Sequence, residues 1–167
     1  ADLNGQKENI NRSGFADMRL RLSLLLLGAP ATPIDKFASV KHKPILGTSL
    51  TVVLPTGQYF SDKLLNLGTN RWSFKPELAF SHPIRKHWLI DVYAGLWFFT
   101  PNKQFFTGES VRTQQPMGAF QAHLSYNINQ KMWLAFDATY YTGGKSTIDN
   151  IINDDRHDNT RVGATFV

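Results

Sequence analysis

The sequence has no cysteine, which excludes disulfide frameworks, thiolate metal sites and cysteine nucleophiles. It also has no long hydrophobic run. The longest, Leu24 to Leu27 followed by Gly28, Ala29 and Pro30, is far shorter than the roughly 18 residues that a membrane-spanning helix needs. No dense basic run accompanies the net charge of +5, so nucleic acid is not an expected partner. Because no hydrophobic run is long enough to span a membrane, an α-helical membrane protein is excluded.

The overall composition does not separate a soluble protein from a membrane β-protein. The chain has 167 residues, of which 42% are hydrophobic and 19% are charged, and an ordinary soluble domain has similar values. A transmembrane β-strand places only every second residue in lipid, which dilutes its apolar signal in the composition. The pattern along the chain must therefore decide between the two.

Seven segments of the chain alternate between apolar and polar residues. In the first of them, Leu20 and Leu22 share one side, while Arg19 and Arg21 share the other. A period of two is typical of a β-strand and cannot arise from helical spacing. The segments cover residues 16–26, 47–54, 71–81, 88–98, 120–128, 132–141 and 160–166. They predict an all-β, antiparallel protein.

The residues on the two sides favour a transmembrane barrel over the alternative, a soluble sandwich or lipocalin-like barrel. One side carries charges of both signs in mid-strand, as in a wet lumen. The other side is apolar and has aromatic residues towards the strand ends, as in the girdles of a membrane barrel. We therefore expect lipid contact for the apolar mid-strand residues Leu20, Leu22, Leu50, Val52, Leu78, Ile90, Val92, Leu124 and Leu134.

The connections between the segments also alternate in length. Short ones are predicted at His82–Lys86 and Asn129–Lys131, and long polar ones at residues 56–70, 100–115 and 143–159. Outer-membrane barrels have this rhythm of short periplasmic turns and long outer loops. The link from Gly28 to Pro44 departs from it, and there Thr32 as cap, with Pro33 and Asp35 in a first turn, predicts a small helix.

The polar side supplies the candidate site residues, which are predicted to line the interior: Arg19, Arg21, Arg71, Lys75, Glu77, Asp91, Tyr93, Trp97, His123, Asp137 and Arg161. Arg71 and Lys75 either form a positive constriction or pair with Glu77 and other acids. His123 is placed to pair with Asp137 or Asp91. The inward rings of Tyr93, Trp97, Phe99 and Tyr141 either form a path for aromatic solutes or fill space.

Neither a cofactor nor a metal is expected. The five histidines show no spacing typical of metal ligands, and the acidic residues at Asp149, Asp154, Asp155 and Asp158 match no EF-hand loop. Solvated loop charge is favoured over calcium binding for that cluster. The Gly-x-Ser-x-Gly nucleophile motif is absent from the sequence, so an enzyme is not expected. A membrane-embedded lipid enzyme and a plugged structural barrel remain the alternatives to a channel.

Several motifs between and within the strands resemble one family. They are PTGQY at 55–59, NLGTNRW at 66–72, KPE at 75–77, WFF at 97–99, QAHLSY at 121–126, YYTGG at 140–144 and NTRVGAT at 159–165. Together they resemble the outer-membrane proteins assigned to transport in the meta-pathway of phenol degradation.

The resemblance implies an outer-membrane location in a Gram-negative bacterium and a channel or transporter for small, often aromatic or apolar, compounds. Its implied partners are outer-membrane lipid and a small-molecule solute, and the oligomeric state stays open. Family members carry further strands on both sides of the matched region. Residues 1–167 are therefore expected to be a single region inside a barrel of about twelve strands.

Overall fold

The computed structural model describes residues 2–3, 6–7, 11–35, 43–129 and 131–167, which form thirteen β-strands. The strands are β1 (Asp2–Leu3), β2 (Gln6–Lys7), β3 (Met18–Leu27), β4 (Ile45–Leu54), β5 (Ser73–Arg85), β6 (Trp88–Phe99), β7 (Asn102–Phe105), β8 (Ser110–Gln114), β9 (Met117–Asn127), β10 (Trp133–Gly143), β11 (Ser146–Ile148), β12 (Ile151–Ile152) and β13 (His157–Phe166).

The seven long strands form one antiparallel sheet in the order β13-β10-β9-β6-β5-β4-β3. Each long strand pairs with the next long strand along the chain, so the sheet is an up-and-down meander with β3 and β13 at its edges. Antiparallel neighbours need only a short turn between them. This explains why the seven alternating segments of the sequence each became one strand of the same sheet.

The register keeps the two sides of the alternation separate across the whole sheet. Leu50 on β4 lies opposite Leu22 on β3 and Pro76 on β5. One residue earlier, Ser49 lies opposite Ser23 and Glu77. Because a strand's side chains alternate between faces, these pairings give the sheet an apolar face and a polar face. The residues expected to contact lipid all lie on the apolar face.

Solvent exposure is inverted between these faces. On the apolar face, Leu78 is 55% exposed and Phe136 is 56% exposed. On the polar face, Glu77 is 5% exposed and Ala119 is 2% exposed. A soluble protein does not leave a large apolar surface open while it shelters polar groups. The sheet therefore requires an apolar surrounding on its exposed side.

The structure corrects the boundaries of the short connection at residues 82–86. Strand β5 continues through Arg85, so only Lys86 and His87 link it to β6. The pairing of these two strands shifts register between Pro83 and Arg85. Proline has no N–H to donate to a sheet and is usually found at such irregularities. Pro83 therefore lies within β5, although the sequence predicted a connection at this point.

Two of the long connections contain a second sheet that the sequence analysis did not predict. It has four strands in the order β12-β11-β8-β7. Strands β7 and β8 belong to the 100–115 connection, and β11 and β12 belong to the 143–159 connection. The strands are two to five residues long, too short for alternation to be visible in the sequence. These two loops are thus joined into one structure.

The helix predicted after Thr32 falls mostly outside the described residues. Ile34 and Asp35 form a turn, and residues 36–42 are not described. In the described part of the chain, no helix combines the length and the apolar character needed to cross a bilayer.

Candidate functional site on the polar face

Glu77 is the centre of a group of charges near the long-loop end of the sheet. Its side chain is 4% exposed and accepts a hydrogen bond from Arg21 Nη2 at 2.8 Å. Lys75 Nζ donates to its other carboxylate oxygen. Lys75 and Arg21 both lie opposite Thr51 of β4, so the register brings them to the same carboxylate. One acid thus pairs with two cations, as a sheltered charge requires.

Two aromatic rings extend this group along β6. Trp97 and Phe99 stack with their ring centroids 6.3 Å apart and their planes at 10°. Lys75 Nζ lies 5.5 Å from the centroid of Trp97, and Arg19 Cζ lies 6.0 Å from it. These are cation–π distances. These charges and rings form the loop-side cluster, which consists of Arg19, Arg21, Arg71, Lys75, Glu77, Trp97 and Phe99.

Arg71 has different partners from those expected from the sequence. It precedes β5, its Nη2 donates to Gln114 Oε1 at 2.6 Å, and its guanidinium carbon lies 4.4 Å from the ring centroid of Phe99. Glu77 pairs with Lys75, and its second cation is Arg21 rather than Arg71. Burial, with a smaller contribution from the charge of Arg112, lowers the pKa of Arg71 to about 10.

A second group of polar side chains lies nearer the short turns. Asp91, His123 and Asp137 are direct neighbours in the register of β6, β9 and β10. His123 Nδ1 lies 2.5 Å from Asp137 Oδ1, and Thr165 Oγ1 donates to Asp137 Oδ2 at 2.9 Å. The predicted pairing of His123 is therefore with Asp137. The turn-side cluster consists of Asp91, Tyr93, His123 and Asp137.

Two further contacts on the polar face involve aromatic rings. Tyr93 meets the His123 ring edge-on, with the centroids 5.7 Å apart and the planes at 85°. Arg161 on β13 places its guanidinium carbon 5.6 Å from the ring centroid of Tyr141. Rings on this face are therefore in contact with charged or titratable groups. A surface of this kind can hold both polar and aromatic molecules.

The structure places ten of the eleven candidate residues on strands of one face, and Arg71 beside them just before β5. The structure groups most of them into the loop-side cluster and the turn-side cluster, and it places Arg161 beside Tyr141. Opposite charges touch in the group of Arg21, Lys75 and Glu77, and His123 contacts Asp137. Arg19 and Arg161 instead face aromatic rings. That these residues line a passage stays a prediction.

Asp17, directly before β3, was not among the site residues predicted from the sequence. Its Oδ1 accepts from the Gly57 amide at 2.9 Å, and its Oδ2 accepts from the amide and hydroxyl of Thr69 at 2.8 and 2.7 Å. A Cβ on Gly57 would lie 2.8 Å from the Cα of Gly68. Two glycines are therefore needed where these chain segments meet. The motifs PTGQY and NLGTNRW contain this joint.

Asn102 was not singled out from the sequence, although it connects two loops. It is 2% exposed, its Oδ1 accepts from Asn70 Nδ2 at 3.0 Å, and its Nδ2 donates to the Tyr59 hydroxyl at 2.9 Å. The Tyr59 hydroxyl in turn donates to the Gln104 carbonyl oxygen at 2.9 Å. These bonds attach the loop at residues 55–72 to strand β7.

Two of the acidic residues in the last long loop accept hydrogen bonds from backbone amides of nearby strands. Asp155 accepts from the Ser146 amide at 2.7 Å, and Asp149 accepts from the Val111 amide at 2.7 Å. A hydrogen bond from a serine side chain is the main cause that lowers the pKa of each, from Ser146 for Asp155 and from Ser110 for Asp149. Within the described ranges, no group of three or more His, Asp or Glu side chains is placed to hold a metal ion.

Comparison with known proteins relates this chain to a protein family and to a solved membrane channel. A family model with the description "Putative MetA-pathway of phenol degradation" matches residues 1–167. Among curated proteins, no significant match is found. The crystal structure of an outer-membrane channel from Pseudomonas putida F1 is similar, with a TM-score of 0.79 and 27% sequence identity. The similarity covers 93% of this chain and 54% of that channel, so the chain spans about half of the channel's length.

The predicted fold class is confirmed, because the antiparallel sheet corresponds to part of the wall of an outer-membrane barrel. The location in the outer membrane of a Gram-negative bacterium is confirmed by the same similarity. Because the family model matches the whole chain, the protein belongs to the outer-membrane family described as "Putative MetA-pathway of phenol degradation".

Proposed function

We propose that the complete protein is an outer-membrane channel for small solutes, and that the polar face lines its passage. The observation that carries this proposal is the inverted exposure of the sheet. Leu78 and its apolar neighbours are open, whereas Glu77 is sheltered together with Arg21 and Lys75. In a membrane barrel, the lipid-facing side chains are apolar and the lumen-facing side chains are polar. The apolar face therefore contacts lipid.

We further propose that the solutes are small aromatic or weakly polar compounds. Rings of Tyr93, Trp97, Phe99 and Tyr141 lie on the polar face, and Trp97 and Phe99 are already stacked. Offset stacking on such rings contributes roughly 0.5 to 1.5 kcal/mol per ring pair. Contacts of this strength allow release as well as binding, which transport needs. The family description, which names phenol degradation, supports an aromatic solute. The similar solved structure, an outer-membrane channel, supports a passage for it.

Conductance of the complete protein in a planar lipid bilayer tests the proposal. A channel gives discrete current steps, and addition of phenol is expected to reduce the current by occupying the aromatic part of the passage. Addition of glycerol, a small solute without a ring, is the control and should leave the step size nearly unchanged. A protein that is folded but gives no current would contradict the channel and favour a plugged barrel.

A further inference from the structure

A cavity of about 190 Å³ lies between the loop at residues 55–72 and the β7–β8 hairpin. Arg71 and Arg112 both line it, and Leu64 and Phe105 give it apolar surface. Glu77, whose carboxylate pairs with Arg21 and Lys75, does not line it. The cavity therefore combines a polar, positively charged lining with a smaller apolar surface.

Both guanidinium groups keep a hydrogen-bond donor without a partner. Nη1 of Arg71 and Nε of Arg112 are buried and make no hydrogen bond to protein atoms among the described residues. A buried donor without a partner destabilises a structure by about 1 to 3 kcal/mol. Each guanidinium also lies over a ring, Arg71 over Phe99 at 4.4 Å and Arg112 over Phe105 at 5.2 Å. The rings hold the planar groups in place, and each guanidinium keeps a donor that no protein group among the described residues satisfies.

The two charges repel each other and have no acid between them. The charge of Arg112 adds to burial in lowering the pKa of Arg71. No carboxylate within residues 11–35, 43–129 and 131–167 forms an ion pair with either arginine. Asp155 feels the charge of Arg112, but its carboxylate is bonded to Ser146. An anion in the cavity would relieve the repulsion.

The other polar groups at the cavity already have partners within the protein. Asn66 accepts from the Phe60 amide at 2.7 Å and donates to the carbonyl oxygens of Phe60 and Lys63. Lys63 forms an ion pair with Asp62 at 2.9 Å, and the Tyr59 hydroxyl donates to Gln104. Arg71 and Arg112 are therefore the lining residues that have neither an ion-pair partner nor a full set of hydrogen bonds among the described residues.

We propose that this cavity binds the carboxylate of a small organic acid, with the two guanidiniums on the carboxylate and the apolar part against Leu64 and Phe105. Planar guanidinium groups match the geometry of a carboxylate and bind it through short, charge-assisted hydrogen bonds. The cavity volume limits the ligand to about the size of a single aromatic ring with its acid group. In the proposed channel, this cavity would be a first binding site for the acid before passage. That role rests on the proposed channel function, whereas binding of the acid to the cavity does not.

Binding of benzoate to the complete protein in detergent micelles, measured by isothermal titration calorimetry, tests the proposal. The Arg112→Gln variant should bind benzoate about tenfold or more weakly, because a charge-assisted hydrogen bond is lost. Arg71→Gln should show a similar loss. Arg156→Gln is the matched control, since Arg156 is an exposed arginine of the neighbouring loop, and it should bind benzoate like the wild type.

Two further probes separate the ligand classes, and one variant guards against misfolding. Benzamide has the same ring without the charge and should bind at least about tenfold more weakly than benzoate. Inorganic phosphate should also bind more weakly, since it has no apolar part. Arg112→Lys keeps the charge with a smaller change of shape and should fall between the wild type and Arg112→Gln. Each variant is checked for a folded barrel by its heat-dependent mobility on gels.

Unchanged benzoate affinity in folded Arg112→Gln and Arg71→Gln variants would overturn the proposal. Phosphate binding tighter than benzoate would overturn the assignment to an organic acid. The result is distinguishable from failure of the channel: benzoate binding by a protein without conductance contradicts only the channel, and conductance without benzoate binding contradicts only this site.

Discussion

The two faces of the seven-stranded sheet differ in which side chains they leave exposed. On β5, Leu78 is half exposed while its neighbour Glu77 is almost fully buried beneath Arg21 and Lys75. In a soluble sheet the apolar residue would be buried and the acid exposed. The comparison shows that neighbouring positions of one strand face two different solvents. On the polar face, Glu77 is sheltered together with the two cations that pair with it, and the apolar face needs no partner within the chain.

A charge on the apolar face should have the largest effect. In the intact barrel, Leu78→Arg is expected to reduce the free energy of unfolding by about 2 to 4 kcal/mol, because a lipid-facing arginine near the bilayer midplane is costly. The matched variant is Ala79→Arg, one residue further along β5 on the polar face, where the side chain can be hydrated. Urea titration in lipid vesicles measures both. Equal losses in the two variants would remove the distinction between the faces.

Removal of the carboxylate that organises the polar face should have the next largest effect. Glu77→Gln leaves Arg21 and Lys75 without their acid, and we expect a loss of about 1 to 3 kcal/mol in unfolding free energy, reduced from the fully buried case because Arg21 is half exposed. Glu109→Gln, at an exposed loop position, should change it little. The same urea titration applies, and a Glu77→Gln protein as stable as the wild type would show that the pairing is not needed.

The smallest effect is expected at the aromatic part of the polar face. Trp97→Ala removes a ring that stacks on Phe99 and meets Lys75, and roughly 0.5 to 1.5 kcal/mol of solute stacking is lost with it. Uptake of phenol by cells that express the complete protein should slow by about two- to tenfold. Uptake of glycerol should hardly change. Equal effects on both solutes, or on neither, would assign the ring to packing alone.

The long strands were predictable because each has a strong local signal. Alternation over about ten residues identified all seven segments, and a period of two also determined which residues share a face. The register then follows, because a slip of one residue would move Glu77 and Arg21 to the apolar face. Strand ends were less predictable. A short connection was predicted at His82–Lys86, but a register shift beside Pro83 let β5 continue to Arg85.

The loop structure and the partners of the site residues could not be predicted from one sequence. The second sheet joins strands from two different connections, and strands of two to five residues leave no periodic signal. The contact of Arg71 with Gln114 spans 43 residues of sequence, so nothing local indicates it. In contrast, the two candidate partners of His123, Asp91 and Asp137, were predictable because they lie on neighbouring strands of the meander. The sequence did not select between them, and the structure shows the contact with Asp137.

The central claim, that one face of the sheet meets lipid and the other meets water in a passage, is tested most directly by cysteine labelling. Residues 1–167 contain no cysteine, so a single introduced cysteine is the only thiol in this part of the barrel. Leu78→Cys and Ala79→Cys, and likewise Leu124→Cys and Ser125→Cys, place a thiol on the apolar or the polar face. In lipid vesicles, a charged, membrane-impermeant maleimide should label the Ala79 and Ser125 variants and leave the Leu78 and Leu124 variants unlabelled. Labelling of the two leucine positions at the same rate as their neighbours would contradict the account.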